Sequence, residues 1–103
     1  MMFLKVDKNK RARYGSVYVA VVGKKIIAGR SKGTKMIDIA IELAKDYAKG
    51  RSIPSITILQ YKKTSDNIAL ESKLHSLLAV FGNNKDDSYE VTKDELKLVW
   101  KDL

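Results

Sequence analysis

Hydrophobic and polar positions divide the chain into alternating short elements. Val17-Tyr18-Val19-Ala20-Val21-Val22 is β-branched and aromatic throughout, which predicts a well-buried strand. Gly23-Lys24 interrupts it and Lys25-Ile26-Ile27-Ala28-Gly29 follows as a second short strand. The pair reads as a β-hairpin turning near Gly23, where a positive φ is cheap. From Thr34 to Ala48 the pattern changes period. Lys35, Asp38, Glu42, Lys45 and Lys49 recur at spacings of three and four, one wet face of a helix. Met36, Ile37, Ile39, Ala40, Ile41, Leu43, Ala44 and Tyr47 fill the rest of the circumference, a breadth that predicts burial on more than one side. Gly50 is placed to serve as a left-handed C-cap.

After Pro54, Ile56–Tyr61 predicts a third strand. Asp66 or Asn67 can cap a second helix running to about Phe81, with Leu70, Leu74, Leu77, Leu78 and Phe81 inward. Gly82-Asn83-Asn84 ends it, and Tyr89-Glu90-Val91 predicts a short edge strand. Thr92-Lys93-Asp94-Glu95 fits the capping box, and Leu96, Val99, Trp100 and Leu103 form the stripe of a last helix. Strands and helices alternate without the βαβ rhythm of a doubly wound sheet. The expected fold is a small α+β domain with a mostly antiparallel sheet packed by helices. A single domain over residues 1–103 is expected, with 1–13 as a basic arm or strand and 14–100 as the core.

Composition narrows the classes. At 45% hydrophobic and 31% charged, the chain can bury a core. No window reaches the roughly 20 apolar residues of a membrane span, and Met1–Asp7 lacks the layout of a secretory signal. With no cysteine, disulfide scaffolds, zinc fingers and thiol catalysis are excluded, and a cytoplasmic setting is expected.

Charge is unevenly spread. The formal net charge is +8, yet residues 1–35 hold ten basic side chains against the single acid Asp7, while the remainder is close to neutral. A cationic first third attracts polyanions through phosphate contacts and counterion release. Arg11, Arg13, Lys24, Lys25, Arg30, Lys32 and Lys35 are therefore the candidate nucleic-acid contacts.

No phosphate-binding P-loop, dinucleotide turn or nucleophile elbow is present, and one histidine without cysteine cannot build a His/Cys metal cluster. The remaining candidates are scattered. Tyr18 lies on the first strand, and the Gly29-Arg30-Ser31-Lys32 corner follows the second. There, a glycine would let backbone amides approach a phosphate and two cations supply charge. Glu71 and His75 are one turn apart at the border of the predicted core, and a carboxylate there can hold a hard cation such as Mg²⁺. Against these stand plainer readings: Tyr18 as core, Glu71 as a solvated helix residue, His75 as a structural histidine.

Gly15-Ser16-Val17-Tyr18-Val19-Ala20, a Gly-Lys turn and Ile26-Ile27-Ala28-Gly29-Arg30-Ser31 resemble the two-strand signature of the GIY-YIG endonuclease superfamily. The match is to its compact phage-associated branch. Leu70-Glu71-Ser72-Lys73-Leu74-His75 and Tyr89-Glu90-Val91 are similar to that branch's Glu-x-x-Leu-His helix and closing strand. The resemblance covers residues 14–100. It implies Mg²⁺- or Mn²⁺-dependent hydrolysis of phosphodiesters in double-stranded DNA. Tyr18 would then help activate the attacking water, Glu71 would bind the metal and His75 would position water or phosphate. Two departures stand out. Ile27-Ala28-Gly29 occupies the place of Tyr-Ile-Gly, and the family's helix-one arginine has no counterpart near Ile37, leaving Lys35 or Arg30 as the nearest cations. The same residues fit a regulatory nucleic-acid-binding protein with impaired cleavage. A third reading is an interaction or homodimerisation module using Tyr89 and Trp100.

Overall fold

β1 (Gly15–Val22) is the middle strand of a three-stranded antiparallel sheet in the order β2-β1-β3, with β2 (Lys25–Ser31) and β3 (Ile56–Thr64) as its edges. The coordinates are a computed structural model describing residues 14–84, 86 and 88–103. The expected basic arm, with Arg11 and Arg13, lies outside the described residues. The helices are α1 (Met36–Tyr47), α2 (Asn67–Ala79) and α3 (Lys93–Asp102). The expected α+β class and antiparallel sheet are what the molecule has.

β1 is apolar at nearly every position because both of its faces are covered. Val17 and Val19 point to one side, where they pack with Leu74 and Leu78 of α2, Leu96 and Val99 of α3, and Tyr89. Tyr18, Ala20 and Val22 point to the other, against Ile39 and Leu43 of α1. Strand alternation thus builds two cores from one segment. Each fully buried aliphatic side chain contributes on the order of 1.5–3 kcal/mol of transfer free energy, so this strand carries much of the fold's stability.

Local signals explain most element ends. Gly23 turns the hairpin with φ 66°. Of the two candidate caps for α2, Asp66 is the one used, its carboxylate accepting from the Ala69 amide at 3.2 Å. The capping box at α3 forms in both directions: Thr92 accepts from the Glu95 amide and Glu95 from the Thr92 amide.

Four expectations need correction. The broad apolar surface of α1 is not buried on two sides. Ile39 and Leu43 face the sheet, while Met36, Ile37 and Ile41 are about half exposed or more. A helix on the flank of a three-stranded sheet has one neighbour, so the excess apolar residues meet solvent. Gly50 does take a positive φ, but α1 ends at Tyr47 and Gly50 serves a separate turn closed by reciprocal Lys49–Ser52 backbone bonds. Phe81 lies beyond the end of α2 and is exposed. Tyr89 makes single bridges to Ile26 and Asn83 in place of an edge strand. Tyr89 is buried and Trp100 is packed against the same core, so both aromatics complete the interior.

β3 pairs with β1 through an irregularity. Ala20 faces Ile58 but Val19 faces Gln60, so Leu59 is an extra residue at a bulge. Beyond it, Tyr61 comes opposite Tyr18 and Lys62 opposite Val17.

Candidate functional site

The site forms at the end of β2 remote from the hairpin turn. Tyr18 is directly opposite Gly29, and a Cβ built on Gly29 would lie 2.7 Å from the Tyr18 hydroxyl. The phenol therefore lies across the glycine. This assigns Gly29 a purpose other than the expected one: it makes room for the tyrosine, and does so within the sheet ladder.

One position on, Arg30 faces the α2 side with its register partner Val17. Its Nη1 donates to Glu71 Oε1 at 2.6 Å, joining residues 41 apart in the chain. Glu71 Oε2 lies 3.5 Å from His75 Nε2. His75 Nδ1 is in turn 2.5 Å from the Tyr89 hydroxyl, the two rings lying 5.6 Å apart. The Glu71 side chain is 20% exposed and that of Arg30 48%, so the pair is accessible from solvent and worth no more than about 1 kcal/mol to the fold.

A polar network braces the corner beneath. Ser31, buried, donates through Oγ to Glu42 of α1 and accepts from the Gly33 amide at 2.9 Å. Ser16 donates to the Gly33 carbonyl at 2.6 Å, and Asn67 Nδ2 donates to the Ser31 carbonyl at 3.1 Å. These bonds tie β1, β2, α1 and α2 together around the Gly29–Gly33 segment and hold Arg30 in place. Sequence reasoning missed Ser16, Glu42 and Asn67. Glu42 reads as one more residue on a wet helix face, and only its packing partner reveals otherwise.

Burial pushes the Tyr18 phenol up to about 12, and the negative charge of Tyr47, Asp46, Glu42 and Glu71 adds to the rise. The neutral phenol is the form the fold favours. Because the folded value exceeds the ordinary value of 10.0, this stabilisation is complete below pH 10 and is lost as pH rises through about 12. The wild type's stability, measured by chemical denaturation, should therefore fall by on the order of 2 kcal/mol as pH rises across that window. Tyr18→Phe should show a flatter dependence, and equal slopes would refute the assignment.

The candidate cations do not form one patch. Arg30 lies at the end of β2, with Lys32 and Lys35 in the segment that follows it, while Lys24 and Lys25 lie at the opposite end of the strand, roughly 20 Å away at ~3.3 Å per residue. Lys25 is also engaged: its Nζ is 2.5 Å from Asp86. That contact, with help from Ser88, holds the Asp86 carboxyl well below the usual carboxylate range, and Asp86 in turn raises the Lys25 ammonium. The site gains a cation from elsewhere. Lys62 of β3 shares the sheet face of Arg30 across Val17 and is exposed. The Lys62-Lys63 pair sits in the near-neutral remainder of the chain, which is why counting charge by region overlooked it.

The chain matches no protein-family model, and no curated protein or solved structure matches it. The functional reading accordingly stands on the residues themselves.

Proposed function

We propose that this chain is a metal-dependent nuclease that hydrolyses phosphodiesters of double-stranded DNA. The observation that carries the reading is the contact of Arg30 with Glu71 on the α2 side of the sheet, the side Lys62 shares, with the Tyr18 hydroxyl across Gly29 on the α1 side. A phosphate donor and a carboxylate at one solvent-accessible corner are parts that phosphoryl chemistry requires.

The donor set suits a hard cation of sparse protein ligation. Among the described residues no group of three His, Cys, Asp or Glu side chains could cage a metal. Mg²⁺ keeps most of its waters and often takes one or two carboxylates, which Glu71 supplies, Oε2 being the oxygen not held by Arg30. When bound, the cation would neutralise charge developing on the phosphoryl group and the leaving oxygen. Arg30, paired with Glu71 in the free protein, can turn its remaining guanidinium donors to a phosphate oxygen. Tyr18, buried on the α1 side and protonated throughout the physiological range, is not a base for this site; it shapes the strand behind Arg30. The absence of cysteine suits a cytoplasmic setting, and no described helix is long and apolar enough to cross a membrane.

Supercoiled plasmid incubated with the protein should be nicked in Mg²⁺ or Mn²⁺ and left intact in EDTA. A protein that binds duplex but never nicks it would favour the regulatory reading. One feature supports that second reading: Ile37, at the place of the family's helix-one arginine, is 61% exposed and offers no charge to a phosphate.

Binding itself gives a further prediction. Lys25 is already neutralised by Asp86, so Lys25→Ala should leave the salt dependence of duplex affinity nearly unchanged. Lys32→Ala should reduce the slope of log K against log salt by about 0.9. Titrations at several salt concentrations distinguish the two, and equal reductions would contradict the separation of the two cationic groups.

A further inference from the structure

The ten residues of α3 carry their charges on two separate edges. Lys93, Lys97 and Lys101 recur every four residues along one, and Asp94, Leu98 and Asp102 along the next. Packing settles where each edge faces. Lys93 and Lys97, with Leu96, border a groove of about 200 Å³ whose other wall is Leu59 and Gln60 of β3. Leu98 and Asp102 border a different hollow, against Leu77, Val80 and Phe81 near the end of α2. Among the described residues, none of Lys62, Lys93, Lys97 and Lys101 forms an ion pair.

Helix energetics do not account for the basic edge. The first turn of an α-helix carries partial positive charge and favours acids, yet Lys93 stands in it. Unpaired cations placed against the preference of their own helix are available to an external anion. Lys93 and Lys97 are about 6 Å apart along the helix axis. A duplex strand carries one phosphate per about 3.4 Å, so neighbouring phosphates fall within reach of both. The groove is smaller than the roughly 300–1,000 Å³ of pockets that enclose a small molecule, which suits a chain lying across it. The β3 bulge shapes the far wall. Gln60 is opposite Val19 and so lies on the α3 side, where the extra residue Leu59 joins it. The Gln60 side chain has no hydrogen-bond partner among the described residues. Lys62, two residues on, lies on the same side and is exposed.

We propose that the groove between β3 and α3 is a second phosphate-binding surface, where Lys93, Lys97 and Lys62 neutralise the backbone of duplex DNA and Gln60 donates to it. That the polyanion is DNA rests on the reading above, whereas the part the groove plays in holding it does not depend on cleavage.

Affinity for a labelled duplex, titrated in EDTA at several salt concentrations, tests the surface without turnover. The double variant Lys93→Ala/Lys97→Ala should lower the slope of log K against log salt by about 1.8, or about 0.9 for each cation. Both side chains are exposed and alanine favours the helix, so the melting temperature should hold. Lys45→Ala/Lys49→Ala removes the same charge at and just beyond the end of α1, across the sheet, and should leave the slope nearly unchanged. Gln60→Ala should weaken binding severalfold at every salt concentration without altering the slope; unaltered affinity would remove Gln60 from the surface. Equal reductions by the two double variants, or an unchanged slope for the first, would overturn the proposal, as would a wild type with no affinity for duplex. A wild type that binds with the expected pattern but never nicks would defeat the nuclease reading alone and uphold the groove.

Discussion

Exchanging Glu71 for glutamine is expected to reduce Mg²⁺-supported plasmid nicking by about 10²–10³-fold, the loss associated with removing one electrostatic contributor to a transition state. Glutamine keeps the shape of the side chain and one oxygen, so the change is chiefly the loss of the charge that would hold the cation. It also leaves Arg30 without its 2.6 Å partner. Because that pair is accessible to solvent and contributes little to the fold, the melting temperature should hardly move. Duplex affinity measured in EDTA should stay the same or rise, since an anion beside the phosphate has gone. This combination separates a metal-holding carboxylate from a structural one. A variant that nicks as fast as the wild type would refute the nuclease reading, whatever its stability.

The largest effect on folding is expected at Gly15. A Cβ there would stand 2.2 Å from the Ser31 carbonyl oxygen, 2.9 Å from Asn67 Nδ2 and 3.2 Å from the Lys32 Cα. Two of these are backbone atoms and the third belongs to the side chain that bonds the same carbonyl. No flexible group can give way, so Gly15→Ala must spread β1 from the start of the β2–α1 corner. Overpacking of this kind costs typically 1–3 kcal/mol, and loss of the Asn67 bond brings the expected total to about 3 kcal/mol. In a domain of this size that lowers the melting temperature by about 12–20 °C. Gly23→Ala is the comparison: its φ is 66° but nothing lies within 4 Å of the added carbon, so backbone strain alone should cost about 1 kcal/mol. Urea denaturation of both variants checks the order, and a Gly15→Ala protein as stable as wild type would mean the corner is looser than drawn.

Both predictions concern residues whose importance was unequally visible in the amino-acid order. Strand content, the hairpin turn and the Thr92–Glu95 cap are decided within a few residues, so they could be read directly. The burial of α1 could not. Apolar residues around a helix state what it could cover, whereas the number of neighbours is a property of the assembled sheet. Gly29 shows the same division. Its need for a small side chain was legible, but the reason, a tyrosine lying across it from the next strand, depends on register. Arg30 and Glu71 were each singled out by type and by resemblance. Their direct contact, and the support from Ser31, Glu42 and Asn67, arise from the crossing of four elements and leave no local trace.

The bulge in β3 has a further implication for how the chain can vary. Leu59 has no partner on β1, so excising it would preserve every existing cross-strand match from Ile56 to Thr64. Adding a residue between Gln60 and Tyr61 would instead invert the strand's sides from there on, putting Tyr61 opposite Val17 where Lys62 now stands. The position is thus a spare link in an otherwise length-critical strand: shortening is harmless to the pattern there, and lengthening beyond it is not.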